Sequence, residues 1–404
     1  MIKELFQLTV KETSLHISQS AIQAVMKKNI IKSGCRIYSN GFLGVAGTLG
    51  EATASTWAQA EANLARRIPY PFEPEKNKQR IRDLRKLKIS DEQFCKEMEE
   101  LLNNIRRNNP DFIFSNKIKL LETEIKLQND AGLNYINNDL TVEIALIIKH
   151  KNSANIFDTS FVHSNRTMEK EKIMQQIGEM LDAYNNQVKL PEKETMPIII
   201  HPDSLLSKVN ESLNAETVAL GASLFSDKIG CKAFHDSLSV YQNSTEEKYH
   251  KPFFDMEGVV NPQDKVMLIE NGVILKPYTD KKRAQDFAFE ATGSAGGGYD
   301  DVPSLGYSDL SILPSEKTLQ EILQGEYGIM VIMASGGDYT PEGNFATPVQ
   351  MSYLTDGKRL LGRLPELNIS GNLYEIFGND FLGVSKDKAL MGERALVVRM
   401  KCYR

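Results

Sequence analysis

From Ile198 onward the chain is a series of short β-type runs separated by turns. That pattern confines its second half to a barrel or a sandwich. Val266–Glu270, Val273–Pro277, Ile329–Ala334, Thr347–Leu354 and Ala395–Lys401 carry strand composition, and Asn271-Gly272 and Asp356-Gly357 are turns between them. Ser315–Gln324 reads as the one clear helix in this half. Pro191–Pro197 reads as a linker and Ile198–Ile200 as the start of a buried strand. A length of 404 residues allows two or three domains. The expected fold is α+β: an N-terminal α/β domain over residues 1–192, on a mixed or antiparallel sheet, and a C-terminal β-rich, barrel-like domain over 193–404.

The first half mixes helices and strands. Ile22–Val25 and Cys35–Val45 read as strands, with turns at Lys32–Gly34 and Ser39-Asn40-Gly41. Asn-Gly suits a type I′ hairpin because both residues tolerate positive φ. Ala52–Arg66 reads as a helix with Trp57, Ala60 and Leu64 on one face. Lys76–Lys88 and Asp91–Asn108 read as charged helices, the second capped by Ser90 and stopped by Asn109-Pro110. The basic run in the first could hold phosphate, but acidic residues follow at once in Asp91–Glu100, and a solvated helix face is the ordinary reading. Lys117–Leu127, Leu133–Asn138 and Leu140–His150 read as a three-strand meander with a turn at Asn137-Asn138-Asp139. Met168–Asn186 reads as an amphipathic helix.

A net charge of −5 argues against a general nucleic-acid binder. The N-terminus has no apolar run with a cleavage site, and no segment approaches the ~20 apolar residues of a membrane span. Cys35, Cys95, Cys231 and Cys402 are scattered without a CxxC pair, which fits a reducing compartment. A cytoplasmic protein is the simplest expectation.

A zinc hydrolase needs closely spaced imidazoles, a third ligand and a general base. His16, His150, His163, His201, His235 and His250 include no two within five residues, so the usual helical motif is missing. A site assembled from distant residues stays open. Cys231 and His235 would face each other on a helix as a thiolate–imidazole pair, but nothing nearby supplies an orienting group. His235-Asp236 would point apart on a strand. Gly293–Gly298 lacks the lysine and hydroxyl of a phosphate loop and reads as a mobile loop. Asp300-Asp301 reads as an acidic loop tip. Gly336 and Gly337, after the apolar Ile329–Ala334 run, let another backbone approach, either a bound extended peptide or a packed strand. With Asp338 as an acceptor they form the candidate peptide-binding cleft.

Several stretches in order resemble the TldD/PmbA family. They are Gly34–Tyr38 with Asn40–Ala46, Phe254-Asp255 through Glu257-Gly258-Val259, and Leu268–Val273. Ala291–Ala295, Ser311–Pro314, Gly337-Asp338-Tyr339, Leu367–Leu373 and Gly378-Asn379-Asp380 follow. The resemblance covers nearly the whole chain. It implies the two-domain architecture given above, and a zinc protease whose ligands lie in an HExxxH helix and at a later cysteine. Aligned from Ser223–Ser226, the helix motif falls on Leu206–Glu211, where Leu206, Ser207 and Glu211 stand at the histidine, glutamate and histidine positions. Ser385 stands near the expected cysteine, and Cys402 is too far downstream.

The chain is therefore similar to the TldE/PmbA branch, which lacks its own zinc. The resemblance also implies a leading helix that is absent or reduced here. Three readings follow. The first is a non-catalytic subunit that holds extended, unfolded peptide and completes the cavity of a TldD-like zinc subunit. The second is a homodimeric peptide-binding or scaffold protein. The third is an independent hydrolase with an unrecognised site. Zinc is expected only in a partner. Ile369–Phe377, with Leu373, Ile376 and Phe377, is the candidate interface element beside simple core. The older family label, modulator of DNA gyrase, finds no physical support in these residues.

Overall fold

The computed structural model describes residues 1–388, 392 and 394–404. Long hairpins build the first half. β1 (Ile2–Ser18) turns into β2 (Ala21–Ser39), and β2 turns into β3 (Phe42–Leu49). Asn40 and Gly41 both have positive φ, 52° and 77°, as their sequence demands. α1 (Ala54–Ala62), β4 (Ile68–Pro69), β5 (Gln79–Asp83) and α2 (Asp91–Asn108) follow. β6 (Phe112–Asn129), β7 (Asn134–His150), β8 (Thr159–Asn165) and α3 (Lys170–Asn185) complete this half. The sheet order is β4-β3-β2-β1-β6-β7-β5, with β8 also paired to β7. Only β5 is parallel to its neighbour.

α2 forms where its caps and stripe place it. The Ser90 side chain accepts from the Gln93 N–H at 3.1 Å, and Phe94, Met98, Leu101, Leu102 and Ile105 face the sheet. Each such burial is worth roughly 1.5–3 kcal/mol. α3 adds Ile173, Ile177, Met180 and Leu181 to the same core.

Three local expectations are corrected. The chain does not turn at Lys32–Gly34: β2 runs straight through, paired to β1 and β3 there. Gly34 is a close-approach glycine, since a Cβ would stand 1.7 Å from the Tyr299 carbonyl oxygen. Lys76–Lys88 is not a helix, because its arginines are bound one by one rather than solvated. Arg80 grips Asp264 with two bonds of 2.6 Å, and Arg82 donates to Asn137, to the Ser244 carbonyl and to the Lys251 carbonyl. Asn137-Asn138-Asp139 is not a turn but the middle of β7, where Asn137 and Asp139 are fully buried. Polar residues persist inside a strand when each has a partner.

In the second half, β9 (Thr195–Ile200) pairs parallel with Gly328–Ala334 and antiparallel with Leu396–Tyr403. Leu396–Tyr403 pairs with Leu367–Asn372, that strand with Asn344–Thr355, and that one returns to Gly328–Ala334. Five strands thus close a ring, which removes the edges an open sheet would expose. α4 (Pro202–Ser212) packs Leu205, Leu206 and Val209 onto the barrel core. A smaller sheet places Leu310–Ile312, Val240–Asn243 and Lys265–Glu270 side by side. Leu373, Ile376 and Phe377, three side chains of the Ile369–Phe377 element, are wholly buried in the barrel core.

Candidate functional site

The site is built where β9 ends and α4 begins. His201 ends the strand and caps the helix: its Nδ1 accepts from the Asp203 N–H at 3.4 Å, and Pro202 occupies the first helical turn, where no N–H is needed. Because the chain leaves the barrel at His201, the pairing of Gly328–Ala334 with β9 stops at Met330↔Ile199. Beyond Met330 that strand borders a cavity of about 240 Å³ lined by Val331 and Ile332, by Val162 on β8, and by Ile200, His201 and Arg394.

His201 and Arg394 also line a second cavity of about 390 Å³, together with Lys248, Lys388, Arg166 and Glu247. Asp203, Lys248 and Leu310 continue into a third of about 210 Å³, lined by Ser207 and Asn210. The three share walls and make one groove, whose first two parts lie between the N-terminal half and the barrel and whose third lies against α4 within the second half. Its first part is apolar and its middle is charged.

Arg166 sets the middle of this groove. Its guanidinium binds Asp139 in a fork, 2.6 and 2.7 Å, and donates to the Glu246 and Lys248 carbonyls at 2.6 and 3.0 Å. Burial pushes the Asp139 carboxyl up, but Arg166 and the His250 N–H outweigh it and hold it below the usual range. Arg394 reaches Glu247 at 3.0 Å. His163 sits on β8 with its ring buried, and that burial lowers its pKa, so its ring is neutral at neutral pH.

The motif positions point three ways. Leu206 is buried in the barrel core, Ser207 is exposed on the groove wall, and Glu211 is exposed and pairs with Lys208 at 2.9 Å. Ser385 is fully buried, accepts from the Ala395 N–H at 2.9 Å and donates to the Asp387 carbonyl at 2.8 Å. Among the described residues no three His, Cys, Asp or Glu side chains cluster as metal ligands. His235 bonds Ser237 at 2.8 Å rather than Cys231 or Asp236.

Gly336, Gly337 and Asp338 are exposed; the barrel strand ends at Ala334, Gly336 bends the chain at a φ of 81°, and Asp338 starts a short strand paired to Ala346. A Cβ on Gly337 would stand 2.1 Å from the Thr347 Cβ, so that glycine already serves the packing of its own hairpin. None of the three lines the groove cavities described above. Sequence reading missed Arg166, Arg394 and Lys248. Nothing local marks them, because their partners Asp139, Glu246 and Glu247 lie far along the chain.

Residues 193–396 match a family model described as the PmbA/TldA metallopeptidase C-terminal domain. A metalloprotease of Methanothermobacter thermautotrophicus is 22% identical, over 47% of this chain and 42% of its own. A zinc metalloprotease TldD homolog of Saccharolobus solfataricus is 24% identical, over 62% of this chain and 55% of its own. The chain thus spans about half the length of these curated relatives. The crystal structure of TldE from Thermococcus kodakarensis superposes with a TM-score of 0.81 over 100% of this chain and 96% of that one, at 18% identity, and so shares the fold.

Proposed function

The chain belongs to the PmbA/TldD family, and from that premise we propose that it is a peptide-holding member without its own catalytic metal. The observation that carries this reading is the open strand edge at Val331–Met333, facing a groove long enough for several residues of extended chain. A peptide laid there adds a strand to the barrel sheet through backbone hydrogen bonds, which are indifferent to side-chain identity. Val162, Ile200 and Ile332 supply apolar contact at one end, while Arg394 and Lys248 meet polar groups in the middle. Gly336, Gly337 and Asp338 lie in the bend just past the end of this strand at Ala334 and would meet the outgoing peptide.

Leu206, Glu211 and Ser385 supply no imidazole or thiolate ligand, and Ser207 supplies no carboxylate at the position of the general base. The proposed role is accordingly to complete the cavity of a zinc-bearing TldD-like subunit, or to act as one half of a homodimer, in the cytoplasm. Among the described residues no helix is long and apolar enough to cross a membrane.

Val162 tests the groove. It is 61% exposed, so Val162→Lys leaves folding within about 0.5 kcal/mol. Its affinity for a labelled unfolded peptide, read by fluorescence anisotropy, should fall several-fold. Unchanged affinity would place the peptide elsewhere. A second measurement bears on the metal. After dialysis the purified chain should hold well under one zinc per molecule, and zinc retained at one per chain would revive the independent hydrolase.

A further inference from the structure

The last part of the groove, the cavity of about 210 Å³ against α4, is rich in acceptors that the chain leaves without donors. Asn210 on α4 donates its Nδ2 to the Ser308 carbonyl at 2.5 Å. That bond fixes the amide, because turning it over would set its oxygen against the Ser308 oxygen. Asn210 Oδ1 can only accept, and it has no partner among the described residues. Ser308 is 6% exposed, and its Oγ has no partner among them either. Both residues line the cavity. Leaving a buried polar atom unbonded is costly, so water or a ligand group completes such a pair.

The surrounding charges select among donors. Asp203, Ser207 and Asn210 stand at i, i+4 and i+7 of α4 and share one face of the helix. The Asp203 side chain is 69% exposed, with His201 its ionic neighbour at 3.7 Å. Asp309 is held by Lys251 at 2.5 Å. Lys248 is the one cation among the described lining residues, and its Nζ is turned to the Leu310 carbonyl at 3.4 Å. Two carboxylates, an amide oxygen and two hydroxyls thus face a single lysine. A neutral N–H brings one donor to such a set. A primary ammonium brings three and needs no acceptor in return. The Ser308 hydroxyl can meet it by turning about one bond, with no movement of the backbone.

We propose that the α4 end of the groove is an ammonium subsite. It holds a primary amine of the bound peptide on Asn210 Oδ1 and Ser308 Oγ, while Asp203, roughly 10 Å away along the same helix face, draws positive charge into the cavity. The inference rests on the peptide-holding reading above and adds what the peptide must carry. The α-amine of a first residue and a lysine side chain offer the same chemistry, and the test separates them.

Three peptides of one unfolded sequence, labelled at the C-terminus, are titrated with the full chain by fluorescence anisotropy. The first has a free N-terminus and no lysine. The second is N-acetylated and carries one lysine near its start. The third is N-acetylated and has no lysine. The first or the second should bind about tenfold tighter than the third, because hydrogen bonds from a charged donor are the stronger kind. Tightening of the first assigns the α-amine, and tightening of the second assigns the side chain. Ser308→Ala should shrink that ratio several-fold and keep the parent's urea midpoint, since the lost hydroxyl bonds nothing in the chain. Asp203→Asn should shrink the ratio less. Equal binding of all three peptides, which would mean that water alone completes the two atoms, would overturn the proposal. A ratio unmoved by Ser308→Ala, or a fall in that variant's midpoint, would overturn it too. If the three bind equally and Val162→Lys still weakens them, the groove stands and the subsite alone fails. If none binds, both fail.

Discussion

Arg166→Ala is expected to destabilise the protein by about 3–5 kcal/mol, because it strands a buried charge. Asp139 is 0% exposed, and its two carboxylate oxygens take the Arg166 fork. Without the guanidinium it keeps only the backbone N–H groups of His250 and Leu140. The same substitution frees the Glu246 and Lys248 carbonyls that Arg166 ties to the N-terminal sheet. The urea midpoint should fall at an unchanged slope. The double change Arg166→Met with Asp139→Asn should recover much of the loss, since no unpaired charge remains and the asparagine can still accept from His250. A single variant within about 1 kcal/mol of the parent, or a double variant no better than the single, would show that the pair does not hold the two halves together.

The second large effect is a dependence on pH. Glu257 is 4% exposed and stands between the halves: the Tyr70 hydroxyl donates to one carboxylate oxygen at 2.5 Å and the Lys281 N–H to the other at 2.9 Å. Burial pushes its carboxyl up to about 7, with the neighbouring Asp255 charge adding to the shift. The folded state therefore keeps a proton that the unfolded chain, with an ordinary carboxyl near 4.5, has released. The stability this contributes is whole below about pH 4.5, falls as pH rises through the interval and is gone above about 7. The gap corresponds to something on the order of 3 kcal/mol. Glu257→Gln should flatten the midpoint-versus-pH curve over that window and be the more stable protein at pH 8. If the variant keeps the parent's slope, another group carries the dependence.

The two predictions touch the same structural fact. The N-terminal sheet and the barrel half are joined by a set of individual polar bonds as well as by apolar contact. Arg36 donates to the Met256 carbonyl at 2.6 Å, Arg80 and Arg82 reach Asp264, and His250 bridges Thr123 and Thr141 at 2.9 and 2.7 Å.

Local chemistry was legible in the residues themselves. Ser90 with its apolar stripe gave α2, Asn40-Gly41 gave the hairpin between β2 and β3, and the Ile198–Ile200 run gave a buried strand. Each of these depends on neighbours within a few residues, where propensity, capping and turn geometry act. The order of the family-like stretches likewise pointed to the PmbA/TldD fold.

What the residues could not reveal was every feature whose partner lies far along the chain. The basic Lys76–Lys88 run has helical composition, yet Asp264 and Asn137 draw its arginines into a strand. Asn137-Asn138-Asp139 carries turn residues, yet Arg82 and Arg166 make burial in β7 affordable to the fold. Gly34 looked like a turn until the Tyr299 backbone lay against it. The groove is of the same kind, since it exists only because β9 stops at His201 while its barrel neighbour continues to Ala334. A linear pattern records which groups a residue brings, but long-range pairing decides whether those groups are solvated, buried or left open, and that pairing is set only when the barrel closes and the sheet docks on it.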